Sequence, residues 1–159
     1  MRLYLFLKAV HVVAAMVFFG TGLGSAWYRF RADRSGDVRV IAWCQREIVL
    51  ADFVFTVPSA VMLPLTAVAM IEVTGTPWRT GWILRAALGY AVAGLCWLPA
   101  AWLQIRMRRL ADVALAKGDP LPVEYHRAAR IWLYLGVPSF GATMATIGLM
   151  VAKHVAVGD

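Results

Sequence analysis

The stretch FLKAVHVVAAMVFFGTGLGSAW, residues 6–27, decides the fold. An α-helix rising 1.5 Å per residue needs about 20 apolar residues to cross a hydrocarbon core of roughly 30 Å. This run has that length. It also exceeds the roughly 7–15 residues of a signal-peptide core, so it reads as a spanning helix. Two polar residues interrupt it, Lys8 and His11, three positions apart on one helical face. Gly22 lies close to three full turns past His11 and shares that face, where a small residue leaves room for a flat ligand or another helix.

Outward from this stretch, the chain repeats the pattern. Apolar runs predict helices over 3–27, 48–73, 82–105 and 131–153. Of the 159 residues 61% are hydrophobic, against roughly 45–50% for soluble domains, and mean hydropathy is +0.67. The expected fold is all-α: a four-transmembrane-helix bundle forming one integral membrane domain over residues 1–159. Residues 57–70 (VPSAVMLPLTAVAM) align without gaps to residues 137–150 (VPSFGATMATIGLM), and FLKAVHVVAA matches ILRAALGYAV more weakly. That pattern suits two tandem helical hairpins related by an axis along the membrane normal. Pro58, Pro64, Pro99 and Pro138 fall inside helices, where each removes a donor and favours a kink.

The net charge of +7 is not spread evenly. Arg29, Arg31, Arg34, Arg39 and Arg46 follow the first run, and Arg106, Arg108, Arg109, Lys117, Arg127 and Arg130 separate the third from the fourth. The positive-inside rule makes both segments cytoplasmic and both termini periplasmic, in a bacterial inner membrane. The basic residues then orient helices and meet lipid headgroups, so the partner is the bilayer and nucleic acid is not expected. Tryptophans 27, 43, 78, 82, 102 and 132 lie near predicted helix ends, as an aromatic belt would. Cys44 and Cys96 show no metal-binding spacing and are expected to be free thiols.

Ionisable groups inside a membrane are costly and tend to mark sites. His11 is the deepest, roughly 12 Å from the far boundary at 1.5 Å per residue. A neutral imidazole there can bind a haem iron or simply hydrogen-bond a neighbouring helix. Lys8 and Arg85 occupy similar depths nearer the far boundary and suit anionic groups such as haem propionates, or lipid phosphate; Arg85 can also pair with Glu72. A second axial ligand at the depth of His11 would come from Met62, Tyr90 or Met144, since His126 and His154 lie near opposite membrane faces. Asp52 is expected to form an ion pair with Arg29, Arg106 or Arg130 that holds helix register.

The motifs LYLFLKAVHVVAAMVFFGTGLGSAWYRFRADRSGD, ADFVFTVPSA, GLCWLPAAWLQIRMR, RIWLYLGVPSFGA and LMVAK resemble an uncharacterised family of bacterial predicted four-helix integral membrane proteins, a domain of unknown function. LKAVHVVAA with the following glycine and basic loop also looks like the first helix of HemJ-type protoporphyrinogen oxidases and of CopD-type membrane domains. The first resemblance implies the fold and no activity. The oxidase resemblance implies a haem role for His11, although Arg85 stands where that family uses a later-helix lysine. The leading expectation is therefore a haem b-binding electron-transfer protein, with His11 as the metal ligand and a quinone as redox partner. The alternatives are a protoporphyrinogen oxidase-like enzyme and a non-redox module: an assembly factor, a subunit of a homo-oligomer or membrane complex, or a small transporter.

Overall fold

The computed structural model describes residues 1–152. Four helices make up nearly all of it: α1 (Arg2–Ser35), α2 (Val38–Thr74), α3 (Gly81–Lys117) and α4 (Val123–Ala152), with no strand among the described residues. Each is long and apolar enough to cross a membrane.

All four helices overrun the apolar stretches, and the overrun is at the basic end. Hydropathy ends where charge begins, but arginine, lysine and alanine are good helix formers, so the backbone continues to Ser35 in α1 and Lys117 in α3. What reads as two long basic loops is mostly helix. At the basic end the chain reverses at Gly36 (φ 67°) and Gly118 (φ 70°), left-handed positions that favour glycine. Asp37 caps α2 by accepting from the Arg39 amide at 2.8 Å, and this bond holds its carboxyl below the usual carboxylate range.

Within α2, the five residues Asp52–Thr56 form a π-helical turn just before Pro58. The Val57 amide bonds the Asp52 carbonyl, five residues back. Pro58 has no N–H to give, and the widened turn absorbs the mismatch without breaking the helix. The aligned Pro138 sits in continuous α-helix.

α1 pairs with α2 and α3 pairs with α4, while the first half of α2 also packs on α3. The aligned segments occupy equivalent places in the two hairpins. Thr66 and its counterpart Thr146 each donate to the carbonyl four residues back. Thr146 meets α3 at Gly89, where an added methyl group would overlap the threonine hydroxyl. Between hairpins, the Tyr90 hydroxyl donates to the Ala60 carbonyl, and the rings of Phe19 and Phe140 lie 4.8 Å apart.

The fully buried core lies at the basic end: Ala32 from α1, Ile41, Ala42, Cys44 and Ile48 from α2, Leu103, Met107 and Ala111 from α3, and Tyr125 and Ala128 from α4. A polar cluster is set into it. Arg29, only 6% exposed, donates from Nη2 to the Ala129 carbonyl at 3.1 Å and lies 4.2 Å above the Trp132 ring. Its Nε is 3.4 Å from Asp33 Oδ2, an ion-pair distance longer than a good hydrogen bond. The Tyr125 hydroxyl donates to Asp33 at 2.6 Å and accepts from Gln45 Nε2 at 2.9 Å. Trp132, expected in the aromatic belt, instead packs beneath Arg29, whereas Trp27, Trp43, Trp78 and Trp102 are exposed.

Two measurements check this packing. Gly89→Ala should cost about 1–3 kcal/mol through overpacking, recovered in large part by Thr146→Ala, as read from unfolding midpoints in mixed micelles. Tyr125 lies six residues before the apolar run of α4, and burial, then its bond to Asp33, holds its phenol protonated well above the usual range. Above the ordinary tyrosine value of about 10, the unfolded chain gives up a proton that the folded chain retains. Stability therefore falls as pH rises through that range. Tyr125→Phe should remove this slope and lower stability at neutral pH by about 1–3 kcal/mol.

Candidate functional site

One face of α1 turns inward along its whole length. Near the basic end this stripe, Ser25, Arg29 and Ala32, is buried; toward the far end Ala14 is buried too, while His11, Ala15 and Phe18 are half-buried. The hydrophobic cluster lies at the basic end, and His11 stands half-buried above it, beside buried Ala14 and Thr66.

The partner of His11 is Thr66 on α2, with Nδ1 2.8 Å from Oγ1. Thr66 is buried, and its hydroxyl also lies 2.6 Å from the Met62 carbonyl and 3.1 Å from that of Leu63. This unit of His11, Thr66 and the Met62 carbonyl bridges α1 and α2 one to two turns beyond Pro58. Thr66 did not stand out in the sequence as a site residue. The signal available was its alignment with Thr146 at the same place in the repeat.

The other expected site residues disperse. The Met62 side chain is exposed and borders a shallow apolar groove with Phe6, Val10 and Val13 of α1. Met144 on α4 is 46% exposed. The Tyr90 hydroxyl is committed to the Ala60 carbonyl. Lys8 and Arg85 are both exposed near the far end. Gly22 is exposed, with open space where a side chain would be. Glu72, considered as a partner for Arg85, accepts from Trp78 Nε1 at 3.1 Å. Lys153 and His154 lie outside the described residues.

Asp52 requires a correction. The ion pair expected with Arg29, Arg106 or Arg130 is not formed: Arg29 pairs with Asp33, and Asp52 accepts from Thr56 at 2.8 Å and pairs with Gln104 of α3. The π-turn rotates Asp52 and Thr56 to the buried side together. Asp52 borders a cavity of about 40 Å³ that Trp97 and Gln104 also line. Gln104 of α3 is thus the residue that meets Asp52 across the α2–α3 contact.

Among the described residues, no three histidine, cysteine, aspartate or glutamate side chains cluster to hold a metal ion. A haem iron asks less of a protein, because the porphyrin brings four nitrogens and a single imidazole can complete an axial position. His11 offers such an imidazole, and Lys8 and Arg85 carry exposed cations nearer the far end.

No curated protein and no solved structure matches the chain. A family model does match, over residues 5–154, nearly the full length, and it carries no assigned activity. The protein belongs to the family described as "Predicted integral membrane protein (DUF2269)".

Proposed function

We propose that this protein binds haem b in the membrane through His11 and passes single electrons, with a membrane quinone as the partner. The observation that carries this reading is the placement of His11. It lies half-buried on the inward stripe of α1, held by an interhelical hydrogen bond to the buried Thr66. A polar ring in that setting is expensive to keep, and metal-ligating histidines characteristically have one ring nitrogen anchored by a neighbouring polar group. When bound, the haem supplies reversible one-electron chemistry at its iron. The chain's own residues do the rest. His11 would offer a ring nitrogen to the iron, Thr66 would orient the ring, and Lys8 and Arg85 would balance anionic charge of the group near the far surface. The charge bias along the chain supports a basic end in the cytoplasm and both termini in the periplasm of a bacterial inner membrane.

Purification after expression with ample haem, followed by oxidised and reduced absorption spectra, tests this reading. Wild-type protein should show a Soret band that sharpens on reduction, and His11→Ala should lose most of it while remaining in the membrane. Lys8→Ala and Arg85→Ala should weaken haem retention without abolishing it. A colourless wild-type protein, or full haem content in His11→Ala, overturns the proposal.

A further inference from the structure

The contacts around Thr66 bear on which nitrogen of His11 carries the proton. A threonine hydroxyl has one hydrogen and two lone pairs. Thr66 Oγ1 lies 2.6 Å from the Met62 carbonyl oxygen, which can only accept. The same oxygen is 2.8 Å from His11 Nδ1. If the hydroxyl gives its hydrogen to the carbonyl, it can meet Nδ1 only as an acceptor, and Nδ1 must then be the protonated ring nitrogen.

The second hairpin contains the control. Thr146, aligned with Thr66, donates to the Ala142 carbonyl at 2.8 Å, and there the facing position on α3 is Gly89, with no ring to compete. Thr143 and Thr74 bond back to Ser139 and Met70 in the same way, at 2.9 Å each. Thr146 and Thr143 thus send their hydrogen back to the carbonyl one turn earlier, a common arrangement in apolar helices, whereas Thr56, with a carboxylate beside it, donates to Asp52. At Thr66 the 2.6 Å approach of two oxygens decides: without a hydrogen between them Oγ1 and the Met62 carbonyl would repel, so the hydroxyl donates there and its lone pair faces His11.

We propose that Thr66 is a positioning residue: by accepting from His11 Nδ1–H it fixes the tautomer in which Nε2 carries the lone pair, the form able to ligate a metal centre through Nε2. This deepens the haem reading and rests on it only for the identity of the ligand; the tautomer is a property of the chain itself. It also explains why one hairpin of the repeat would hold a site and the other would not. Both supply the threonine, and only α1 supplies the imidazole.

The test is nitrogen-15 magnetic resonance of ring-labelled histidine in the full-length protein in lipid nanodiscs, prepared without added haem. The chain has three histidines, and the His11 signals are identified by their loss in His11→Gln. The expected result is a protonated Nδ1 and an unprotonated Nε2 in wild type. Thr66→Val, which keeps the shape and removes the hydroxyl, should move the population toward Nε2–H; Thr66→Ser should retain the wild-type pattern. In haem-loaded samples Thr66→Val should weaken haem affinity by roughly 10–100-fold, the range for lost second-shell partners, with Thr66→Ser close to wild type. An Nε2–H tautomer in wild type overturns the proposal, and so does a Thr66→Val spectrum identical to wild type. The spectra without haem decide this inference whatever the colour of the purified protein, so its failure and that of the haem reading are distinguishable.

Discussion

The buried guanidinium of Arg29 is the constraint around which the bundle is organised. A cation taken out of water must find both charge and hydrogen-bond partners, or it costs several kcal/mol. Here the partners come from different helices: Asp33 on the same helix, the Ala129 carbonyl and Trp132 ring on α4, and, through Asp33, Tyr125 of α4 and Gln45 of α2. The arrangement holds only if three helices meet in one register. The apolar core packs around the same place, so charge and hydrophobic burial reinforce one another at the basic end.

That concentration at the basic end shapes the rest of the molecule. Inside a bilayer, apolar side chains gain little by facing one another instead of lipid, so helix association there depends on close packing and hydrogen bonds. The membrane half has few such ties: Tyr90 to Ala60, Ser139 to the Ala93 carbonyl, the Phe19–Phe140 contact, the close approach at Gly89, and His11 to Thr66. His11 is therefore a structural tie. In the proposed haem reading its two roles use different ring nitrogens, Nδ1 toward Thr66 and Nε2 toward the iron.

The two hairpins share a threonine and serine pattern but differ in what they add to it. The first has the π-turn at Asp52–Thr56 and the histidine; the second has Gly89 and an uninterrupted helix through Pro138. Proline alone does not force a π-turn, since three other in-helix prolines lack one. At Pro58 the wider turn coincides with a polar pair, Asp52 and Thr56, that it rotates into the α2–α3 contact.

The amino-acid sequence by itself determined the class of the molecule. Apolar runs of membrane-spanning length, separated by arginine-rich segments, admit four crossing helices and little else, because the bilayer penalises every unpaired backbone group. It also singled out His11, since a lone imidazole in a greasy run is costly. Helix ends were less legible, because hydropathy reports where the membrane stops and not where the backbone turns; Gly36 and Gly118 decide that. The partners of Arg29, Asp52 and His11 were decided only by the tertiary structure. Asp33, Tyr125, Gln45, Gln104 and Thr66 are ordinary polar residues in sequence, and they acquire their roles from helix register. Register depends on how side chains of distant segments interlock, and no local pattern of hydrophobicity or charge encodes that.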